Sequence, residues 1–584
     1  MKSMTGFFSQ NKKISILTAI SLAVQIMGTL AVPFLIGELI DKGIASGNPS
    51  IVLRIGGQML VVALVGGGAA ILGSYLSAKL AATYGYEVRQ HFYQKVQQLS
   101  LQDVESFGVA TLLTRMTNDV TNVQRSLGMF LQLILPAPII CLFAVLMTYI
   151  NSPKLALIPL VSIILYLMVV GFLLKKGLPL SSEIQHRLDQ IMVKLREFFN
   201  GINMIRAFDN QDEEEEKTNQ RFSDYAQSMI TVNKIFAYLT PVAYMLMGLV
   251  FALIIWVGGL LVGQGSLQIG IVTAVVEYSM LTLAYLIMAA MVIVTLPRSL
   301  ASLTRIEEVL ATIPEINDEK QDFTAISTNN TSNFVSFNAV QFAYNGAEPV
   351  LEDITFNIAK GQTTAIVGGT GSGKSTIAKV LLNLTTISSG EILIDGVMLN
   401  NLSQKDLRNK VSYVPQKAFL FSGTIESNLR MGNPEASKEE LERAVELAQA
   451  KPFIADQEAG YQAFVAQGGN NFSGGQKQRL SIARALVKPA DLYIFDDSFS
   501  ALDYQTDARL RQALRSQMEG STFLIVAQRL STIKDADLII VLNEGRIVGQ
   551  GSHLDLLKNN QIYQEFAVSQ GISVQGGHVH ENIN

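Results

Sequence analysis

A glycine-rich stretch directly after a short apolar run carries the clearest chemistry in this sequence. Residues 363–367 (TTAIV) are apolar and β-branched, which predicts a buried strand, and a helical pattern follows from Thr376 to Leu384. Glycines between a strand and a helix let backbone N–H groups close around phosphate groups. The predicted phosphate-binding residues are Gly368, Gly369, Thr370, Gly371, Ser372, Gly373, Lys374, Ser375 and Thr376.

Two side chains of this loop have separate roles. We expect the Lys374 ammonium to reach the β- and γ-phosphates of ATP and the Ser375 hydroxyl to bind Mg²⁺. A second predicted strand, residues 492–495 (LYIF), ends in Asp496, and an acid at a strand end can hold Mg²⁺ through water. The sequence therefore predicts a site for ATP and Mg²⁺.

A third motif lies between these two. Asn471-Phe472-Ser473-Gly474-Gly475-Gln476 precedes a basic helical pattern over residues 477–486. This stretch resembles the signature of ATP-binding-cassette (ABC) transporters. The resemblance implies that Ser473, Gly474, Gly475 and Gln476 bind the γ-phosphate of a nucleotide that the opposite domain holds.

The resemblance extends over nearly the whole chain. Tyr344 in FAY stands where the family stacks adenine, and Gln416 in VPQ matches a loop that contacts both Mg²⁺ and the membrane domain. Ser500-Ala501-Leu502-Asp503 matches the loop after the acidic strand, which implies that Asp503 serves the opposite nucleotide. Residues 98–124 and 200–209 resemble the two cytoplasmic coupling segments of the family.

Two positions depart from the family pattern. Hydrolysing members place Glu after the acidic-strand Asp, where it polarises the attacking water, but this chain has Asp497. The Asp497 carboxylate is therefore retracted by ~1.5 Å, and a misplacement of ~1 Å can cost ~100-fold in rate. The family also needs a His after the strand 522–527, where this chain has Gln528.

These losses beside intact binding motifs resemble the degenerate-site subunit of heterodimeric bacterial multidrug exporters. The segment 466–470 (AQGGN) also lacks the acid common in symmetric exporters. The resemblance implies a partner, a second ABC half-transporter with Glu and His at the catalytic positions. This chain would hold ATP at its own site and supply its signature to the site of the partner.

The segments that contain these motifs come after a part of the chain that is predicted to lie in a membrane. The chain has 584 residues, of which 49% are hydrophobic and only 16% charged, against about 25% in a typical soluble domain. A membrane span needs ~20 apolar residues. Six stretches qualify, at about 14–40, 56–80, 128–150, 155–174, 239–263 and 270–296.

The loops between these spans alternate in length. Residues 81–127 and 175–238 are long, polar and rich in Lys and Arg, whereas residues 41–55, 151–154 and 264–269 are short. The positive residues place the long loops and both termini in the cytoplasm. The expected location is the bacterial inner or plasma membrane, and the long loops are expected to continue the helices beyond the bilayer.

The predicted fold class is an α-helical membrane domain of six transmembrane helices, of the ABC exporter type, followed by an α/β P-loop nucleotide-binding domain. The predicted boundaries are 1–313 for the membrane domain, 314–333 for a polar linker, 334–570 for the nucleotide-binding domain and 571–584 for a disordered tail. The acidic run 212–216 (DEEEE) is interpreted as a solvated helical face.

The predicted function is one half of an ATP-driven exporter of drugs or other amphiphilic compounds. Alternatives are a half-exporter of a lipid or metabolite, and a regulatory or channel-like membrane protein that binds ATP. The intact signature favours transport. No basic stripe accompanies the net charge of −4, so we expect no nucleic-acid partner.

A single acid in the sixth span is a candidate substrate residue. Glu277 lies among apolar residues, and a carboxylate at the centre of a membrane helix costs about 2.5–3.5 kcal/mol on insertion scales. Glu277 either pairs with a polar group on a neighbouring helix or lies shallow enough to stay hydrated, or else it faces a central cavity and attracts cationic amphiphiles. Tyr278 and Tyr285 are predicted to add cation–π contacts to such a cation.

Overall fold

The chain folds into two compact units. The computed structural model describes residues 4–314, 332–344, 348–575 and 578–581. The first unit comprises Met1–Gln98 and Phe107–Thr312, and the second comprises Leu99–Ser106 and Ile313–Asn584. The predicted linker 314–333 lies outside the described residues except at its two ends.

Long helices build the first unit. In the described part of the chain up to residue 314, the α-helices are α1 (Met4–Gln10), α2 (Lys12–Glu38), α3 (Pro49–Gln98), α4 (Leu101–Phe107), α5 (Val109–Thr114), α6 (Val120–Met129), α7 (Pro136–Asn151), α8 (Pro153–Ala207), α9 (Gln211–Ala237), α10 (Leu239–Gly263), α11 (Ile269–Ile293) and α12 (Leu296–Ala311). Short π-helical turns lie at Leu39–Ile44, Arg115–Asp119 and Phe130–Ile134.

The prediction of six membrane spans is confirmed. The described residues contain six helical stretches that are long and apolar enough to cross a membrane, at Lys12–Ile44, Pro49–Gln98, Val109–Asn151, Pro153–Gly177, Gln211–Gly263 and Ile269–Ala311. Each predicted span lies entirely inside one of these stretches, because apolar runs of this length have no alternative to a helix in lipid.

The long polar loops are helical, as their composition predicted. Helix α3 has 50 residues and α8 has 55, which correspond to ~75 and ~83 Å of helix. A bilayer core is only ~30 Å thick, so much of each helix extends beyond it. The polar part of α8 runs beside α9. An ion pair at 2.7 Å joins Lys194 of α8 to Glu214 of α9.

The acidic run 212–216 starts α9. Asp212, Glu213 and Glu214 occupy the first turn of this helix, where negative charge is favourable. Glu213 also pairs with Lys217 at 2.6 Å. The run therefore stabilises the beginning of a helix, which accounts for its composition without a bound metal.

A polar network joins two segments of the first unit that are far apart in sequence. The Arg305 guanidinium donates from Nε to Asp119 Oδ2 at 2.8 Å and from Nη2 to Asp119 Oδ1 at 2.6 Å. Asp119 is only 3% exposed and also accepts from the Ser302 hydroxyl at 2.8 Å. Such paired geometry is what a buried carboxylate requires, so the network ties α12 to the π-helical turn before α6.

The second unit is α/β. Its described strands are β1 (Asn333–Phe342), β2 (Leu351–Ala359), β3 (Thr363–Gly368), β4 (Ser389–Ile394), β5 (Val397–Met398), β6 (Val411–Val414), β7 (Gly423–Thr424), β8 (Phe464–Val465), β9 (Leu492–Asp496), β10 (Thr522–Val526), β11 (Leu538–Asn543), β12 (Arg546–Gly551), β13 (Ile572–Gln575) and β14 (His578–Glu581).

Ten α-helices accompany these strands in the described residues from 332 onward. They are α13 (Lys374–Leu381), α14 (Gln404–Lys410), α15 (Ile425–Arg430), α16 (Lys438–Leu447), α17 (Lys451–Ala455), α18 (Gly474–Val487), α19 (Tyr504–Gln517), α20 (Leu530–Ile533), α21 (His553–Asn559) and α22 (Gln561–Ser569).

A six-stranded sheet positions the predicted nucleotide site. Its strand order is β12-β11-β3-β10-β9-β6, and the neighbours β11, β3, β10, β9 and β6 run parallel. The carboxyl ends of parallel strands meet at one edge of a sheet, where ligands of such folds bind. The loops after β3, β9, β10 and β6 therefore converge. A four-stranded antiparallel sheet of order β2-β1-β4-β5 completes the unit.

Two short strands lie in the predicted tail, at residues 572–575 and 578–581. Strands β13 and β14 pair antiparallel there, with Ile572 opposite Glu581 and Val574 opposite Val579. β-branched residues alternate on both sides of Gly576-Gly577 in the sequence, which is a hairpin signal that the prediction passed over. His578 and His580 both belong to β14.

Candidate functional site

The loop between β3 and α13 has the conformation that a phosphate cradle needs. Gly371 and Gly373 have φ values of 84° and 96°, in the left-handed region that favours glycine. A Cβ atom added to Gly368 would lie 2.1 Å from the Leu542 carbonyl oxygen, so no larger residue fits there. Around Gly369 and Gly371 such an atom would meet nothing within 4 Å, which leaves the face of the loop open.

A buried ammonium group lies inside this loop. Lys374 is only 7% exposed, and its Nζ donates to the Gly368 and Gly369 carbonyl oxygens at 2.9 and 2.6 Å. Burial lowers the pKa of Lys374, while the Asp497 and Asp496 carboxylates oppose this shift. An ammonium that is buried against carbonyl groups gains strongly from an anion, so the loop fits a polyphosphate.

The predicted magnesium ligands lie together. The Ser375 hydroxyl donates to Asp496 Oδ1 at 2.7 Å, and Asp496 is only 2% exposed at the end of β9. Hard oxygen donors of this kind suit Mg²⁺, whose charge neutralises phosphate oxygens when it is bound. Ser375 and Asp496 would hold the ion, and the Gln416 amide oxygen is the third predicted ligand.

A tyrosine that sequence reasoning missed holds the same acid. The Tyr413 hydroxyl, from β6, donates to Asp496 Oδ2 at 3.2 Å. Burial and the adjacent Asp496 charge raise the pKa of Tyr413, so the hydroxyl remains a donor. Both oxygens of Asp496 therefore have a hydroxyl partner, which fixes the orientation of the carboxylate. The only signal in the sequence was the position of Tyr413 two residues before Pro415-Gln416.

The two departures from the family pattern contact each other. Gln416 Nε2 and Gln528 Nε2 both donate to Asp497 Oδ2, at 3.0 and 3.1 Å. The loops after β6 and β10 deliver the two glutamines to the loop after β9, because these strands are neighbours in the sheet. One carboxylate oxygen thus receives two amide donors at the position where hydrolysing members orient water.

Asp497 has an unusual backbone conformation and a shifted carboxyl pKa. Its φ of 46° lies in the left-handed region, which Asp tolerates better than most residues. Its N–H donates to the Val526 carbonyl oxygen at 2.9 Å, and its side chain is 8% exposed. Burial raises the pKa of the Asp497 carboxyl, Gln416 acts in the opposite direction, and the Asp496 charge adds to the rise.

The signature residues form the exposed beginning of a helix. Ser473 caps α18, and its hydroxyl accepts from Gln476 N at 3.3 Å while the Gln476 side chain accepts from Ser473 N at 2.9 Å. An added Cβ at Gly474 would meet nothing within 4 Å, so the backbone there is open. A capped helix terminus with free approach can bind a phosphate that another domain presents.

Two further predicted residues lie near these motifs in the fold. Asp503 caps α19, where its carboxylate accepts from Thr506 N at 2.9 Å, and this bond lowers the pKa of Asp503. Tyr344 is half-buried just after β1, with its ring 4.7 Å from that of Phe342 in an edge-on contact. The ring of Tyr344 is thus fixed by packing before any base stacks on it.

In the membrane unit, Glu277 lies on an exposed face of α11. Tyr278 does not share that face, because successive helical residues point ~100° apart. It is 1% exposed, and its hydroxyl donates to the Leu30 carbonyl oxygen at 3.0 Å. Tyr285 packs in the same cluster as Tyr278. Tyr278 therefore packs between helices, and Tyr285 is partly buried against the same cluster.

An apolar groove of about 690 Å³ lies between α2, α7 and Tyr278. Its exposed residues include Met27, Phe34 and Phe143. Sequence reasoning could not find this groove, because its walls come from segments more than 100 positions apart that look like any other apolar span. The groove is suited to the hydrocarbon part of a ligand.

Six membrane helices ahead of a cassette with these motifs define the class of protein. Residues 15–286 match the family model described as ABC transporter transmembrane region, and residues 351–500 match the family model described as ABC transporter. The chain belongs to the ABC exporter family, as a membrane domain fused to an ATP-binding domain, and it is a multi-pass membrane protein.

Particular relatives cover almost the whole chain. An uncharacterized ABC transporter ATP-binding protein of Mycobacterium tuberculosis is 35% identical over 570 residues, which are 96% of this chain and 97% of the relative. YfiB of Bacillus subtilis, also uncharacterized, is 33% identical over 95% of each chain. A fatty acid ABC transporter ATP-binding/permease protein of Mycobacterium tuberculosis is 32% identical over 82% of this chain and 75% of the relative.

The fold matches a solved exporter. The structure of a bacterial Atm1-family ABC exporter with ATP bound superposes with a TM-score of 0.81 at 25% identity. The match covers 96% of this chain and 99% of that chain. The ABC exporter fold that the sequence predicted is therefore confirmed.

Proposed function

We propose that this chain is one half of a heterodimeric exporter that binds ATP at its own site without hydrolysing it rapidly. The carrying observation is the contact of Gln416 and Gln528 with one oxygen of Asp497. A carboxylate that must activate water needs a free oxygen at the water position. Asp497 instead accepts two amide protons there and is one carbon shorter than Glu.

The phosphate side of the same site supports binding. The Lys374 ammonium and the pair of Ser375 with Asp496 are arranged as ATP and Mg²⁺ require. ATP is therefore held by intact groups, while the groups that would cleave it are altered. In the proposed pair, the exposed α18 terminus at Ser473 completes the site of the partner, where hydrolysis takes place.

The experiment compares this chain alone with the pair. The purified chain in lipid vesicles is expected to hydrolyse ATP slowly and to transport no dye. Addition of a partner half with Glu and His at the catalytic positions should produce both activities. Rapid hydrolysis by the chain alone would contradict the degenerate site, and a pair without transport would favour the regulatory or channel-like alternative.

We infer that the cargo is amphiphilic. The groove between α2, α7 and Tyr278 is apolar almost throughout, and Glu277 lies on an exposed face of α11. A hydrocarbon part and a cationic group would each find a suitable environment in the membrane unit. Export of a fatty acid or lipid is the second candidate, favoured by the apolar groove and by the mycobacterial relative named for fatty acids.

Glu277→Gln separates these two candidates. The substitution removes the charge but keeps size and hydrogen bonding, so transport of cationic dyes by the pair should fall several-fold while neutral amphiphiles are spared. Glu307→Gln, on an exposed face of α12, is the control. If Glu277→Gln did not change transport of cationic dyes relative to neutral ones, Glu277 would not lie on the substrate path, and the lipid candidate would be favoured.

A further inference from the structure

A glutamine between α22 and the C-terminal hairpin contacts the loop that carries Gln528. Gln570 follows α22, and its Nε2 donates to the Gln528 carbonyl oxygen at 2.8 Å. Its Oε1 accepts from the Leu530 N–H, also at 2.8 Å. Both ends of one side-chain amide are therefore bonded to the backbone of a single three-residue stretch.

That stretch has few other backbone supports. The ladder of β10 ends with the N–H of Ala527, which donates to the Ile366 carbonyl oxygen at 3.1 Å. Leu530 then anchors the loop from inside, since its side chain is fully buried at the start of α20. The Gln570 amide therefore supplies the hydrogen-bond partners that a neighbouring strand would otherwise give to two backbone groups, the Gln528 carbonyl oxygen and the Leu530 N–H.

Gln570 itself is held by a well-anchored helix. Tyr563 and Ala567 of α22 are fully buried in the main core of the unit. Asn560 caps the helix by accepting from Tyr563 N at 2.8 Å. The packing of α22 against the core thus fixes the position of Gln570, although Gln570 itself lies at the surface.

We propose that Gln570 is a positioning residue for the nucleotide site. It fixes the backbone at Gln528, whose side-chain amide then reaches Asp497 Oδ2 at 3.1 Å. The inference rests on the proposed function, in which Gln528 stands at the position where the family has the His that contacts the γ-phosphate. Loss of the Gln570 amide frees this backbone and lets the Gln528 amide leave its place, while the loop around Lys374 is untouched.

The test measures how well the full-length chain distinguishes ATP from ADP. Dissociation constants for both nucleotides with Mg²⁺ are determined by displacement of a fluorescent ATP analogue. Gln570→Ala should weaken ATP binding roughly threefold, as expected for loss of ordered hydrogen bonds, and leave ADP binding unchanged. A merely structural role would weaken both nucleotides together.

A matched control lies on α22, the helix that Gln570 follows. Gln564 Nε2 donates to the Leu557 and Lys558 carbonyl oxygens of α21 at 2.8 and 3.3 Å, so Gln564→Ala also removes hydrogen bonds from a side-chain amide to a backbone, but none to the Gln528 loop. It should leave the ATP-to-ADP preference as in the wild type. Equal preferences in the Gln564→Ala and Gln570→Ala variants would overturn the inference.

A double substitution shows whether Gln570 acts through Gln528. In a Gln528→Ala background, Gln570→Ala should have no further effect on the preference, because the group that it positions is absent. If Gln528→Ala and Gln570→Ala changed the ATP-to-ADP preference independently, so that their fold-changes multiplied in the double variant, the inference would be overturned. A wild-type chain that binds ADP as tightly as ATP would overturn the inference alone, whereas rapid ATP hydrolysis by the purified chain would overturn the proposed function, so the two failures are distinguishable.

Discussion

The two sides of the nucleotide site differ in how their polar groups are engaged. On the phosphate side, the Lys374 ammonium is buried against carbonyl oxygens and the loop around Gly369 and Gly371 is open. On the hydrolytic side, Asp497 is already engaged by the amides of Gln416 and Gln528. The first side is open to an incoming anion, whereas on the second side Asp497 Oδ2 already accepts two amide hydrogen bonds from the protein.

This difference separates binding from cleavage within one site. Binding depends on the loop conformation and one ammonium, which a glycine pattern preserves. Cleavage depends on the reach of a carboxylate, where one methylene group is decisive. A half-exporter can therefore lose the second property and retain the first, with its signature still available to a partner.

The largest expected effect is on the phosphate side. Lys374→Ala removes an ammonium that would donate charge-assisted hydrogen bonds to the phosphates, each worth about 1.5–3 kcal/mol. ATP affinity of the purified chain should fall about 100-fold, measured by nucleotide displacement. Asp497→Ala should change the same affinity only a few-fold.

Lys379→Ala serves as the control for Lys374, since Lys379 is a lysine near the other end of α13. It should bind ATP as the wild type does. If Asp497→Ala weakened ATP binding as much as Lys374→Ala, the two sides of the site would not be separable in function.

The next effect concerns which chain uses the signature. Ser473→Ala should lower ATP hydrolysis of the pair by about tenfold or more, because its hydroxyl would serve the active site of the partner. Asp497→Ala should lower it much less. Steady-state phosphate release by the reconstituted pair measures both.

Ser473 also caps a helix, so the loss of a cap must be separated from the loss of a ligand. Ser437 caps α16 with the same reciprocal bonds, to Glu440, and lies outside the nucleotide motifs. Ser437→Ala should lose a similar stability, about 1 kcal/mol, and keep hydrolysis. A greater loss of hydrolysis in Asp497→Ala than in Ser473→Ala would reverse the assignment of the sites.

The smallest effect is a pH dependence of stability on the hydrolytic side. The raised pKa of Asp497 means that the folded chain binds this proton more strongly than the unfolded chain. The stabilising contribution is present at low pH and is lost as pH rises through the folded pKa. The melting temperature of Asp497→Asn, measured relative to that of the wild type, should therefore rise as pH increases from 4 to 8. A difference that is constant with pH would show that the carboxyl does not titrate differently on folding.

Local patterns predicted much of this molecule. The strand–loop–helix of Gly368–Ser375 and the six spans follow from short-range glycine spacing and apolar runs, which act within one segment. The placement of Asp496, Asp497 and Gln528 also followed, because each comes directly after a predicted strand. The contact between Asp497 and the two glutamines did not, since it depends on the strand order of the sheet.

Long-range polar contacts escaped prediction for a physical reason. Asp119 and Arg305 are 186 residues apart, and neither is distinguishable in sequence from a solvated charge. Gln570 likewise has no motif, and its two bonds depend on where the packing of α22 places its end. Such pairs arise only when tertiary structure brings separate elements together.

The most direct measurement restores the two altered groups in the same chain. Asp497→Glu combined with Gln528→His is introduced into the full-length protein, and ATP hydrolysis is measured in vesicles at high protein density. The wild type is expected to turn over well below ~1 per second, and the double variant at least about tenfold faster, because a longer carboxylate and a chargeable imidazole then face the γ-phosphate. A wild-type rate above ~1 per second that the double variant does not exceed would contradict a degenerate hydrolytic side.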